Sequence, residues 1–96
     1  MKFSEYQDNA VRFKKFQKSS DDFFIGLSAE VGELMSERMR ENRIDRTPRG
    51  RKEIKAELGD ILWYVTAIAD EYNLDLEDIA NYNIFKLEQR KAGKSE

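Results

Sequence analysis

The sequence predicts an all-α fold, a four-helix domain that assembles into helical-bundle oligomers. Three observations carry this. Apolar residues recur at steps of three and four through four segments of the 96-residue chain, the period of a helix with one buried face. Turn-forming residues separate those segments. The third segment is apolar nearly all round its middle, as a central helix would be. At this length the chain is one domain, residues 1–96, with a modest core, so self-association is a natural way to bury more surface.

The first helix is expected over residues 3–17, on the stripe Phe3, Tyr6, Ala10, Phe13 and Phe16. Ser4 is its expected cap, with Gln7 three residues on, and its aromatics are expected to pack in the core or on a partner helix. Residues 18–22 are a break. Ser19 or Ser20 can accept from the N–H groups that open the next helix, and Asp21 and Asp22 suit the positive end of its dipole. The second helix, about 23–41, carries Phe24, Leu27, Val31, Leu34, Met35 and Arg38 on one stripe and Glu30, Glu33 and Glu37 on the next.

Residues 38–52 hold seven positive side chains and two negative ones, a local excess of five. Asn42, Pro48 and Gly50 mark a connection there, and Pro48 is placed to open the third helix. The stretch reads either as a solvated loop or as a phosphate-facing flap or nucleic-acid contact. The third helix, about 51–72, buries Ile54, Leu58, Ile61, Leu62, Val65, Ile68, Ala69 and Tyr72. Trp63 and Ala67 point the other way, and another subunit is the expected cover for that second face. Asn73, Leu74 and Asp75 form a turn. Asp75 caps the fourth helix with Asp78 at the third position, and Leu74 staples to Ile79. That helix runs to about 90 with Ile79, Tyr82, Phe85 and Leu87 inward. Residues 91–96 read as a frayed tail.

Composition narrows the chemistry. The chain has no Cys and no His. This removes disulfides, thiol nucleophiles, zinc-thiolate sites, imidazole ligands and the commonest general base. A net charge of -2 argues against a whole-surface nucleic-acid binder. No signal peptide is expected at residues 1–6, and no apolar run approaches the ~20 residues of a spanning helix. A cytoplasmic location with no membrane partner is therefore expected.

What remains is carboxylate chemistry. Glu30-Val31-Gly32-Glu33-Leu34 and Glu57-Leu58-Gly59-Asp60-Ile61 repeat one pattern: Glu, apolar, Gly, acid, apolar. Residues three apart share a helix face. If the two helices pack antiparallel, four carboxylates meet at the edge of an apolar core. Their mutual repulsion and desolvation are relieved by a hard divalent cation with oxygen ligands. Short acidic pairs are common on solvated faces. Here the apolar flanks, the matched glycines and the lack of other chemistry favour a magnesium site acting on a phosphorylated substrate. A mid-helix Gly costs ~1 kcal/mol relative to Ala, so Gly32 and Gly59 suggest close approach by a backbone or ligand. Trp63 reads as interface packing in preference to stacking on a base.

The run Gly26-Leu27-Ser28-Ala29-Glu30-Val31-Gly32-Glu33-Leu34, followed by Glu57-Leu58-Gly59-Asp60-Ile61-Leu62-Trp63-Tyr64, resembles the MazG-type all-α nucleoside triphosphate pyrophosphohydrolases. The resemblance covers about residues 6–90. The family often has a further Glu before each pair, where this chain has Ala29 and Ala56. The resemblance implies that Glu30, Glu33, Glu57 and Asp60 bind Mg²⁺, with Mn²⁺ as a substitute. It implies hydrolysis of a nucleoside triphosphate, a deoxynucleotide above all, between the α and β phosphates, in house-cleaning of nucleotide pools. It places Tyr64 near the sugar or base and Asn83 and Lys86 near the phosphates, in a homodimer or homotetramer with sites close to subunit contacts. Two other readings are a phosphoribosyl-ATP pyrophosphohydrolase of the same fold and a non-enzymatic helical module that binds nucleotide or nucleic acid.

Overall fold

The computed structural model describes residues 1–14, 19–41 and 51–93. Four helices follow one another: α1 (Phe3–Ala10), extended by a 3-10 turn (Val11–Phe13), α2 (Asp21–Glu41), α3 (Arg51–Glu71) and α4 (Leu76–Lys91). The all-α prediction holds. Most of the expected basic connection, residues 42–50, lies outside the described residues, as does Phe16.

α1 ends earlier than the apolar stripe suggested, and the reason is tertiary. The Trp63 indole N–H donates to the Ala10 carbonyl at 2.9 Å, the acceptor that Lys14 N–H would use to continue an α-helix. Lys14 N–H instead donates to the Val11 carbonyl at 3.2 Å, the tighter 3-10 pattern. The Lys14 side chain then turns toward α3. Its ammonium sits 2.7 Å from Asp70 and 2.5 Å from Glu71 and 5.1 Å from the centre of the Phe23 ring. Burial works against the Lys14 charge, but the two carboxylates outweigh it and hold its pKa above the ordinary value.

The caps also differ from the expected ones. Lys2, not Ser4, precedes α1, and Glu5 accepts the Lys2 N–H at 2.8 Å. Ser20 sends its hydroxyl to Glu71 at 2.5 Å rather than to the start of α2. α3 closes with a Schellman arrangement: Leu74 N–H reaches the Ala69 carbonyl at 2.8 Å and Asn73 N–H the Asp70 carbonyl at 3.1 Å. Asn73 takes φ 55°, a left-handed position that Asn tolerates. Asp75 stands at the N-cap of α4 but makes no side-chain cap hydrogen bond. Gln7 of α1 does that work: its Oε1 accepts Leu76 N–H and its Nε2 donates to the Leu74 carbonyl, both at 2.9 Å. Leu76 is the buried residue of this corner, while Leu74 is 48% exposed and forms no buried staple with Ile79.

Gln7→Ala should therefore loosen α4 at its start. Losing two hydrogen bonds at a half-buried corner costs about 1–2 kcal/mol. Hydrogen exchange at the amides of residues 76–79 should speed up and the urea midpoint should fall; unchanged exchange would show that Asp75 caps the helix in solution.

The core lies where α1 and α2 meet α3. Ala10, Phe23, Thr66, Ala67 and Ala69 are buried. Phe23, not its neighbour Phe24, is the inward aromatic of α2: Phe23 is 3% exposed and Phe24 45%. Ala67 is buried within the subunit, and Trp63 is half-buried there, held by the Ala10 carbonyl of α1 and by Phe23 of α2. Trp63 packs 6.1 Å from Phe23 and 5.0 Å from Tyr64, centre to centre. The stripes expected to be inward on α2 and α4 are in large part exposed in the subunit, with Val31, Met35, Tyr82, Phe85 and Leu87 near half exposure. α4 packs on α1, which leaves those residues uncovered. The radius of gyration is 16.3 Å, against ~13 Å for a compact domain of this size. α4 also continues through Lys91, one residue into the expected tail. Among the described residues no helix is long and apolar enough to cross a membrane.

Candidate metal centre

α2 and α3 run antiparallel, so residue 26 meets 64 and residue 30 meets 57 and 60. This register brings three of the four expected carboxylates together. One oxygen each from Glu30, Glu57 and Asp60 lies within 4.8 Å of the others. Glu30 and Glu57 are half-buried and Asp60 is exposed, so the group opens to solvent on one side.

The electrostatics are those of a site short of positive charge. Burial pushes the Glu30 carboxyl above the ordinary carboxylate range. The charge of Asp60, a hydrogen bond shared with Glu57, and the charges of Glu57 and Glu33 push it the same way. Glu57 Oε2 is buried and accepts no hydrogen bond among the described residues. An orphaned carboxylate oxygen of this kind is costly unless a cation or donor meets it. The donor set is all oxygen, which suits a hard divalent ion. Three carboxylate oxygens within 4.8 Å of one another are near enough to be offered to one ion. The residues present fit such an ion.

Glu33 is exposed and stands outside this group of three. Glu37, on the same expected stripe, is only 4% exposed and pairs with Arg40 at 2.8 Å. Glu53, one turn before Glu57, has a buried Oε2 that likewise accepts no hydrogen bond among the described residues. The pattern of paired acids pointed past it, although its place four residues before Glu57 was a usable signal. Tyr6 of α1, expected in the core or on a partner helix, is half-buried. Burial is the largest influence on its hydroxyl and raises its pKa; the nearby Thr66 hydroxyl works against the rise and the charge of Asp60 adds to it.

The glycines differ from one another. A Cβ at Gly32 or Gly59 would meet nothing within 4 Å among the described residues, so no backbone of this subunit approaches either one, and the space beside each is open. The close approach is at Gly26, where a Cβ would fall 2.2 Å from Tyr64 Cε1. Tyr64 itself is half-buried, one turn beyond Asp60 on α3. Asn83 and Lys86 are on α4, which is held by α1 rather than by the α2–α3 pair. Lys86 Nζ lies 5.6 Å from the centre of the Tyr82 ring of its own helix. Nothing among the described residues draws these two side chains to the carboxylates.

With this geometry in view, a family profile described as the MazG nucleotide pyrophosphohydrolase domain matches residues 19–93. The chain belongs to the MazG family. The matched span contains α2, α3 and α4, and with them all of the carboxylate group. Two crystal structures of iMazG from Vibrio DAT 722, in Ctag and Ntag forms, superpose on this MazG chain with TM-scores of 0.68 and 0.70. Both are 28% identical to it, cover 88% and 95% of it, and are themselves covered to 96% and 97%. The "Gene 37 protein" of Mycobacterium phage L5 is 33% identical over 70 residues, which is 70% of this chain. The MazG chain matches 61% of the length of that phage protein.

Proposed function

We propose that the chain is a Mg²⁺-dependent (deoxy)nucleoside triphosphate pyrophosphohydrolase, a single domain that cleaves the α–β phosphate bond and releases monophosphate and pyrophosphate. The observation that carries this reading is the convergence of Glu30, Glu57 and Asp60, with the unpartnered buried oxygen of Glu57, in a MazG domain. Bound there, Mg²⁺ or Mn²⁺ would neutralise phosphate charge and favour an attacking hydroxide. Glu30 and Glu57 hold the inner side of that site and Asp60 its open side. Glu33 is the carboxylate left to complete the ligand set, and a carboxylate oxygen not engaged by the ion takes the proton of the attacking water. Tyr64, one turn away, would meet the sugar or base.

Asn83 and Lys86 are proposed to contact the phosphates, with cationic help from the exposed Arg51 at the start of α3. Since α4 stands apart from the carboxylates in the subunit, this role requires assembly. The exposed Val31, Met35 and Leu58 beside the acids, and Tyr82, Ile84, Phe85 and Leu87 on α4, support a homodimer or homotetramer, because apolar surface of this extent marks an interaction site. A cytoplasmic house-cleaning role completes the proposal.

The test is pyrophosphate release from a panel of nucleoside and deoxynucleoside triphosphates, with Mg²⁺ and with chelator. Mg²⁺-dependent release with monophosphate as co-product is expected. Folded protein that releases none from any triphosphate, but acts on phosphoribosyl-ATP, would replace this reading with the other hydrolase of the same fold. Inactivity on both would leave a binding module.

A further inference from the structure

Gly26 is half-buried in the first half of α2 and the ring of Tyr64 occupies the space its side chain would fill. A Cβ at residue 26 would lie 2.2 Å from Cε1, 2.4 Å from Cζ and 2.7 Å from the hydroxyl oxygen of Tyr64. The contact is therefore with the hydroxyl end of the ring, the end that carries its polar chemistry. The ring is backed on one side. Trp63 packs against Tyr64 edge-on, 5.0 Å between centres with the planes 87° apart, and Trp63 is itself fixed by its bond to the Ala10 carbonyl and by Phe23. Carbon atoms in contact stand ~3.5–4.0 Å apart, so an added methyl at residue 26 must expel the ring from its notch by about 1 Å or more.

The position of this pair gives it a role. Gly26 precedes Glu30 by one turn of α2, and Tyr64 follows Asp60 by one turn of α3. The ring thus stands about 6 Å of helix rise from the carboxylate group, close enough to border a nucleoside whose phosphates are held there. We propose that Gly26 is a positioning residue: its missing side chain seats Tyr64 against α2 and so sets the wall on which the nucleoside of the substrate rests. This rests on the hydrolase reading above. It is distinct from the glycines between the acids, which face open space.

The experiment uses Gly26→Ala, Tyr64→Ala and the double variant. Trp63 is the single tryptophan and touches the Tyr64 ring, so its emission reports the ring without any turnover. Gly26→Ala should shift Trp63 emission in the metal-free protein. It should raise KM for the preferred triphosphate about tenfold, a loss of ~1.4 kcal/mol of binding, with kcat changed far less. In the Tyr64→Ala background the same substitution should change neither emission nor KM further, because the ring it displaces is gone. That background also removes the clash, so the double variant keeps the test valid if Gly26→Ala alone folds poorly by circular dichroism.

Unchanged KM in Gly26→Ala, or equal effects of Gly26→Ala with and without Tyr64, would overturn the proposal. If the wild type releases no pyrophosphate, the reaction assigned above fails on its own. Titration of Trp63 emission with Mg²⁺ and each triphosphate then decides the Gly26 role by binding alone, and no response in the wild type overturns it too.

Discussion

Glu57→Gln and Asp60→Asn should each lower kcat/KM for the preferred triphosphate by about 10³-fold or more, a loss of ~4 kcal/mol of transition-state stabilisation. Each change keeps the shape of the side chain and removes one anionic oxygen from the group formed with Glu30. An amide is a poor ligand for a hard cation, so metal affinity should fall with activity, measurable by Mn²⁺ binding. Folding should respond in the opposite direction. In the metal-free protein the Glu30 carboxyl is pushed up by burial first and then by the charge of Asp60 and contact with Glu57, which means that the folded state carries electrostatic strain there. Glu57 Oε2 accepts nothing among the described residues, and an amide nitrogen in its place can donate to Glu30. The metal-free variants should therefore melt at or above the wild-type temperature. Retained hydrolysis would reject Glu57 and Asp60 as ligands, and unfolding of the variants would reassign them to structure.

Phe23→Ala should be the most damaging single change to stability, costing about 3–5 kcal/mol, a large share of the ~5–15 kcal/mol that holds a domain together. Phe23 is 3% exposed. It is the floor on which Trp63 packs, and the Lys14 ammonium sits against its ring. Its loss opens a cavity at the meeting of α1, α2 and α3 and releases the residues that end α1. The neighbouring Phe24→Ala removes a side chain that is 45% exposed and touches the edge of Tyr72, and it should cost less than half as much in the isolated subunit. Urea denaturation at low protein concentration measures both. An equal or larger loss in Phe24→Ala would mean that the helix α2 is turned by one residue in solution.

The adjacent Phe23 and Phe24 show where sequence reasoning reaches its limit. A helix turns 100° per residue, so both fit an apolar stripe within the tolerance of the pattern. Only the approach of Trp63 from α3 selects Phe23. The ends of helices follow the same rule. The stripe through Phe13 and Phe16 argued for a long α1. An indole from residue 63 claims the Ala10 carbonyl and stops it, and Gln7, 69 positions away, caps α4 in place of Asp75. Glycines divide likewise. Gly32 and Gly59 repeat in sequence and border open space, while Gly26 carries no repeat and takes the ring of Tyr64.

The sequence by itself determined the all-α class, the extents of α2, α3 and α4 to within about two residues, and three of the carboxylates that gather. These depend on properties local to the chain: apolar period, spacing along one helix, and the absence of Cys and His. The tertiary structure alone decided that Glu33 stands outside the group, that Trp63 meets the end of α1, and that α4 leaves its apolar face open. Spacing fixes which side chains share a face of one helix. Which faces meet, and at what register, is set by how ridges of separate helices fit together, and no local pattern records that fit.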